Sequence, residues 1–252
     1  MSLPRAQDRG AAPAAHLSLL GGFELTVHGD PVPVSGGSAR LLAFVAMRCR
    51  AAVPRALVAQ TLWPAAPERC AYANLRSALS RLPRASRDAL DVHPDEIHLA
   101  RHVSVDLHRA RRTAYRALDP AVAVHDVGLD PETMKDLSTD LLPGWYDDWV
   151  LLEADNWRQL RLGALEAVAV GLIEVGRFAE AQVAALTAVR DDPLRETGHS
   201  ILIRAHLAAG NRGEALRDLD RYERHLHNDL GLEPTPELRR LVAELVRAVT
   251  PR

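Results

Sequence analysis

Lysine is almost missing from this chain: Lys135 stands alone among 31 Lys and Arg side chains, so nearly every positive charge is a guanidinium. A guanidinium stays charged at physiological pH and grips phosphate or carboxylate through a planar fork. Cysteine is scarce too, and Cys49 and Cys70 make no CxxC pair, which excludes a disulfide framework and a thiolate metal site. No apolar run approaches the roughly 20 residues of a membrane-spanning helix, and the opening MSLPRAQDRGAAPAAH has no hydrophobic signal core. The expectation is a soluble, cytoplasmic chain with no membrane partner. Catalytic signatures are missing as well: there is no GxxxxGK[ST], GxSxG, HExxH or GxGxxG, and the carboxylates of the second half are spread rather than gathered around histidines. His93, His98, His102 and His108 follow no zinc spacing. Neither an enzyme nor a cofactor or metal site is expected.

What is there divides into two. The chain is long enough for about two domains, each with its own core. Residues 1–116 hold 16 Arg and 9 Asp+Glu, a balance of +7, whereas residues 117–252 hold 15 Arg+Lys and 24 Asp+Glu, a balance of −9. A basic module joined to an acidic one suits an anionic partner for the first half only, although each half could simply carry its own solvated surface.

Residues 1–15 are Ala, Pro, Gly and Arg without periodicity, and read as a mobile arm. From Leu17 the runs LSLLG, FELTVHG and PVPV, punctuated by Gly21-Gly22 and Gly29-Asp30-Pro31, predict a small antiparallel sheet. Ser38 can cap a helix over SARLLAFVAMRCR with Leu41, Leu42, Val45 and Cys49 as its apolar stripe; Pro54 then opens a second helix that Pro64 stops. The stretch PERCAYANLRSALSRLPR, residues 67–84, predicts a third. Its Tyr72, Leu75, Leu79 and Leu82 recur at helical spacing, and Cys70, Ala73, Asn74, Ser77, Ser80, Arg81 and Arg84 fall on the other side. Small residues early and arginines late suit a helix whose first turns enter a groove, but they also suit an ordinary surface helix. Two short runs, ALDV and EIHLA, then predict a hairpin around His93-Pro94-Asp95. Three helices followed by a hairpin make a winged helix-turn-helix. The hairpin tip is acidic at Asp95 and Glu96, so Arg87, Arg101 and His102 are better placed for phosphates.

In the second half a basic helix near 104–118 leads into a poorly patterned acidic connection over 119–139. Trp145, Tyr146, Trp149 and Trp157 are packed into one span, suited to a core or to a ligand cage. Gly176-Arg177-Phe178-Ala179-Glu180-Ala181 recurs as Gly210-Asn211-Arg212-Gly213-Glu214-Ala215, an offset of 34 positions, which is the tetratricopeptide period. Helices near 147–175, 177–190, 194–209, 212–228 and 235–248 would stack in antiparallel pairs, with a groove for a partner or a surface that props the first domain.

The runs LLAFVA, LVAQTLWP, ANLRSALSRL and VSVDL, in that order, resemble the N-terminal region of the Streptomyces antibiotic regulatory protein (SARP) family of transcriptional activators. LLPGWYDDWVLLE at 141–153, SILIRAHLAAGNRGEAL at 200–216 and LGLEPTPELRRLV at 230–242 resemble the bacterial transcriptional activator domain that follows in that family. The resemblance implies a mainly α protein with three parts: an arm over 1–15, a winged helix-turn-helix over 16–103 and a tetratricopeptide-like domain over 104–252. It implies binding to direct repeats in promoter DNA of a biosynthetic gene cluster, RNA polymerase holoenzyme as a partner, and a second copy of the chain as another candidate. Asn74, Arg76, Ser77 and Arg81 occupy positions that enter the major groove in the family. Ser80 and Arg84 share that helix face; Arg40, Arg87 and Arg101 complete the expected DNA contacts. Two departures stand out: SGGS precedes Arg40 in place of basic and amide residues, and Pro83 should end the recognition helix early. The alternative is a helical-repeat scaffold whose winged helix docks protein rather than DNA.

Overall fold

The computed structural model describes residues 15–48 and 51–249; all but Ala15 of the expected arm, and Cys49 with Arg50, lie outside the described residues. Two compact units emerge, one made of residues up to Arg109 together with Thr139–Asp155, the other of Ala110–Ser138 and everything from Asn156. The compact units meet within α4, and the first also takes in a segment from the second half of the chain.

In the first unit, β1 (Ala15–Ser18) alternates buried and half-buried side chains, the period of a strand packed on one face. It pairs antiparallel with β2 (Glu24–Val27). His28 and Gly29, both at positive φ, turn β2 into the short β3 (Asp30–Pro31), the two-residue hairpin geometry that matches strand twist. The sheet is not purely antiparallel, because β7 (Val103–Val105) joins β1 in parallel and gives the order β3-β2-β1-β7. Only contact distant in sequence decides this, so the local pattern could not reveal it.

Helix α1 (Gly36–Met47) is buried from Ser38 to Met47 apart from Arg40, the mark of a central helix. Its N-cap position is Ser35, not Ser38; the buried Ser38 hydroxyl instead donates to the Ala78 carbonyl at 2.7 Å. Val53–Pro54 form strand β4, so Pro54 precedes rather than opens α2 (Arg55–Leu62). Then α3 (Glu68–Ser80) follows, and a 3-10 turn (Arg84–Ala89) begins just after Pro83. Strands β5 (Leu90–Val92) and β6 (Glu96–Leu99) form the expected hairpin, with β4 added on the far edge of β6. Leu90, Ile97 and Leu99 are buried, whereas Val92 is exposed.

After β7 the Asp106 carboxylate, at the start of α4 (Asp106–Leu118), accepts the N–H groups of Leu19 at 2.9 Å, Leu20 at 3.0 Å and Leu107 at 2.6 Å. Burial pushes this carboxyl above its usual value, and the three backbone donors pull it back. Residues 139–149 form a strap on the same unit. Leu141 bridges Leu20, Leu142 N–H donates to the Leu19 carbonyl at 2.9 Å, Trp145 stacks on Phe23 at 5.9 Å, and Trp149 meets the Phe44 edge at 5.2 Å.

The second unit holds the rest of α4, then, within the expected loop, a 3-10 turn (Val124–Asp126) and α5 (Pro131–Leu137), whose Asp130 cap accepts the Thr133 N–H. Local capping at Asp130-Pro131 made this helix possible. Helices α6 (Asp148–Glu174), α7 (Phe178–Asp191), α8 (Glu196–Ala208), α9 (Arg212–Leu230) and α10 (Pro236–Val249) follow, close to the expected ranges. Gly176 at φ +77° and Gly210 at φ +79° close one helix of each repeat in the left-handed conformation. Small residues such as Ala169, Ala181, Ala185 and Ala205 let α6, α7 and α8 approach closely. Tyr222, Leu226, Leu238 and Val242 pin α9 and α10 into a second cluster. Trp157 is fully buried, Trp145 and Trp149 are half-buried and Tyr146 is 83% exposed, so the four rings of the aromatic span do not share one environment.

Candidate nucleic-acid interface

Helix α3 buries Ala71, Leu75 and Ala78, with Leu82 just beyond its end, and leaves Tyr72 and Leu79 half-buried. The apolar stripe is therefore turned toward small residues, which allow α1 and α2 to pack closely behind it. Arg69, Cys70, Ala73, Asn74, Arg76, Ser77 and Ser80 are exposed on the helix, and Arg81 at its C-cap. Helix and turn, residues 68–88, carry five arginines against Glu68 and Asp88. Ser80 Oγ donates back to the Ser77 carbonyl at 3.0 Å, which ties it to its own helix. Asn74, Arg76, Ser77 and Arg81 are all exposed on the outer surface of the helix and its end.

Beyond Pro83, Arg84 and Arg87 are exposed on the 3-10 turn, and Arg87 Nε donates to the Leu82 carbonyl at 3.3 Å. Arg101 and His102 are exposed in the turn between β6 and β7. Arg40 departs from the expected set: its guanidinium pairs with Asp147 of the strap, and its side chain is 30% exposed. A residue 107 positions away supplied the partner, so no local reading could anticipate it.

The wing has a feature that the sequence reading missed. Arg55, the first residue of α2, donates its N–H to the Asp95 carbonyl at 2.9 Å, and its guanidinium reaches the His93 carbonyl at 3.3 Å. His93 N–H closes the tip on the Glu96 carbonyl at 2.9 Å, and His98 Nε2 meets Glu96 at 2.8 Å. The His98 ring is thus engaged within the hairpin. Arg69, in the first turn of α3, is the other omission; it falls on the same outer strip four positions before Ala73.

The described residues thus make a winged helix-turn-helix with an outward arginine-bearing third helix, followed by a helical repeat. Residues 101–246, more than half of the chain, match the bacterial transcriptional activator domain, and the chain belongs to that family, in its SARP-type branch of regulators rather than enzymes. It is 29% identical over 248 residues to the regulatory protein AfsR of Streptomyces griseus, an alignment that takes in 90% of this chain and 23% of that protein. The chain thus spans less than a quarter of that relative's length. Mycobacterium tuberculosis EmbR, solved in complex with a low-affinity phosphopeptide, shares the fold with a TM-score of 0.70 at 23% identity, over 95% of this chain and 66% of that one. Among the described residues no helix is long and apolar enough to cross a membrane.

Proposed function

We propose that this protein is a sequence-specific DNA-binding activator of a biosynthetic gene cluster, acting in the cytoplasm on direct repeats in promoter DNA and bringing RNA polymerase holoenzyme to them. The observation that carries this reading is the outer face of α3, where Asn74, Arg76, Ser77 and Arg81 stand exposed together while Ala71, Leu75 and Ala78 hold the helix from behind. Asn and Arg are side chains that can read base edges in a major groove through paired hydrogen bonds. Arg84, Arg87 and Arg101 supply phosphate contacts, which give affinity and register without sequence information. Protein contacts for recruitment fall to the acidic helical unit, which phosphates repel.

Fluorescence anisotropy on the protein's own upstream promoter and on a scrambled duplex, each across a salt series, tests it. The expected result is preference for the native sequence and a steep salt dependence on both duplexes. Absence of binding to either at low salt would falsify the reading for this chain.

One set of observations favours the scaffold alternative: Arg40 is occupied by Asp147, and the wing bears exposed Asp91 on β5 and Asp95 at its tip. A docking surface for protein would leave DNA affinity near that of any weakly basic protein and indifferent to sequence. The same salt series separates the two.

A further inference from the structure

The second unit contains a cavity that DNA reading does not use. Its floor is a face of α6 with Ala167, Val170, Gly171 and Val175, its wall is the end of α4 at Leu118, and Val124 of the 3-10 turn closes it. The volume is about 620 Å³, within the range that holds drug-sized molecules. Gly171 makes the closure possible: a Cβ there would come within 2.9 Å of Val124 Cβ, so only glycine lets the turn lie directly on α6.

Beside this apolar space the Arg116 guanidinium is held by the Asp126 carbonyl and His125 faces the Asp126 carboxylate, so the charge left without a partner there is negative. Helix α4 ends at Leu118 and α6 at Glu174, and both residues line the cavity, so two helix C-termini stand at its edge. Asp119 and Glu174 add carboxylates. Asp119 Oδ1 is engaged by the Ala121 N–H at 2.9 Å, and His125 lies 3.5 Å from Asp126. Among the described residues Glu174 makes no hydrogen bond or ion pair, and it stands where a ligand's polar end would emerge from the valine-lined floor.

We propose that this cavity binds a small amphipathic cation, an organic amine whose apolar body lies along α6 and whose ammonium pairs with Glu174. An anion of the same shape would meet both carboxylates and both helix ends. A neutral molecule would gain the apolar contact and forgo the ion pair. Occupancy of this site does not depend on DNA binding, so failure of one reading leaves the other standing.

Isothermal titration of the full chain near neutral pH with 2-phenylethylamine, 2-phenylethanol and phenylacetate isolates the charge, because the three share one apolar body. The amine should bind at least about tenfold more tightly than the alcohol, with phenylacetate the weakest. Glu174→Gln, at an exposed position, should abolish the amine's advantage and leave the alcohol unchanged. Ala167→Phe should weaken amine and alcohol alike by filling the floor. Equal binding of the three probes, no binding of the amine, or an amine preference that survives in Glu174→Gln overturns the proposal.

Discussion

Single side chains here act through where their charge can go. Arg81 is exposed at the end of α3 and free to meet DNA, so Arg81→Ala should weaken specific binding by about 1 to 3 kcal/mol if it reads a base, or lower the salt slope by about one if it meets a phosphate. Unchanged anisotropy at every salt concentration would exclude both roles. Arg40 shows the limit of such reading from sequence: helical spacing places both arginines outward, but the partner of Arg40 comes from the strap, and spacing carries no information on that. His199 is the buried counterpart. Its Nε2 lies 3.0 Å from the Pro193 carbonyl, which can only accept, so Nε2 carries the proton and the partnerless Nδ1 is bare. The ring lies 4.3 Å from that of Tyr222, itself pushed up to about 12 by burial and Glu196; Asp218 favours the His199 cation, and His225 and Arg221 oppose it. Burial dominates and holds His199 below the ordinary 6.5, so the folded unit binds fewer protons than the unfolded chain. Stability is therefore full above about pH 6.5 and declines as pH falls toward the folded value. The urea midpoint of the helical transition should drop between about pH 7.5 and 5.5, and His199→Phe should flatten that drop. A midpoint equally pH-dependent in the variant would remove His199 as the source.

The elements were legible where periodicity and punctuation agreed. The five helices of the second half were placed to within a few residues, with Gly176 and Gly210 ending α6 and α8 in the left-handed conformation and the apolar spacing resuming directly afterwards. Pro83 ended α3 as its missing N–H requires, with Arg81 as the C-cap. What stayed hidden was pairing between distant elements: β7 beside β1, β4 beside β6, and Ser38 against α3 rather than at its own helix start. That last contact fixes how α3 is held. The Ala78 carbonyl, near the C-terminal end of α3, takes the Ser38 hydroxyl, which also receives a bond from Ser35 Oγ at 3.1 Å. Ser38→Ala leaves a buried carbonyl without that donor and should cost about 1 to 2 kcal/mol in urea unfolding of the first unit. Ser38→Thr keeps the donor in a tight site and should retain part of the loss. A stability change below about 0.5 kcal/mol in Ser38→Ala would mean that the carbonyl is satisfied without it.

At the scale of the whole molecule, the first unit is discontinuous: it needs Thr139–Asp155 as well as the residues up to Arg109. A sequence reading cuts the chain where the wing ends, because motifs follow one another and the fold need not. The strap supplies Trp145 to Phe23, Trp149 to Phe44 and Asp147 to Arg40, and its backbone pairs at Leu19, Leu20 and Gly21. Removing it would leave two aromatic rings uncovered, the β1 extension unpaired and a half-buried guanidinium without its carboxylate. A fragment of residues 1–118 should therefore unfold at lower urea than the first-unit transition of the full chain, by about 3 kcal/mol or more, since each large apolar contact alone contributes about 1 to 3. Adding a synthetic peptide of residues 139–158 in trans should restore part of the midpoint and quench or shift the tryptophan emission as Trp145 and Trp149 pack against Phe23 and Phe44. The same peptide carrying Trp149→Ala and Asp147→Asn should restore little. If residues 1–118 unfold at the full-chain midpoint without the peptide, the strap is only a passing segment. The first unit would then be separable where the sequence first divided it.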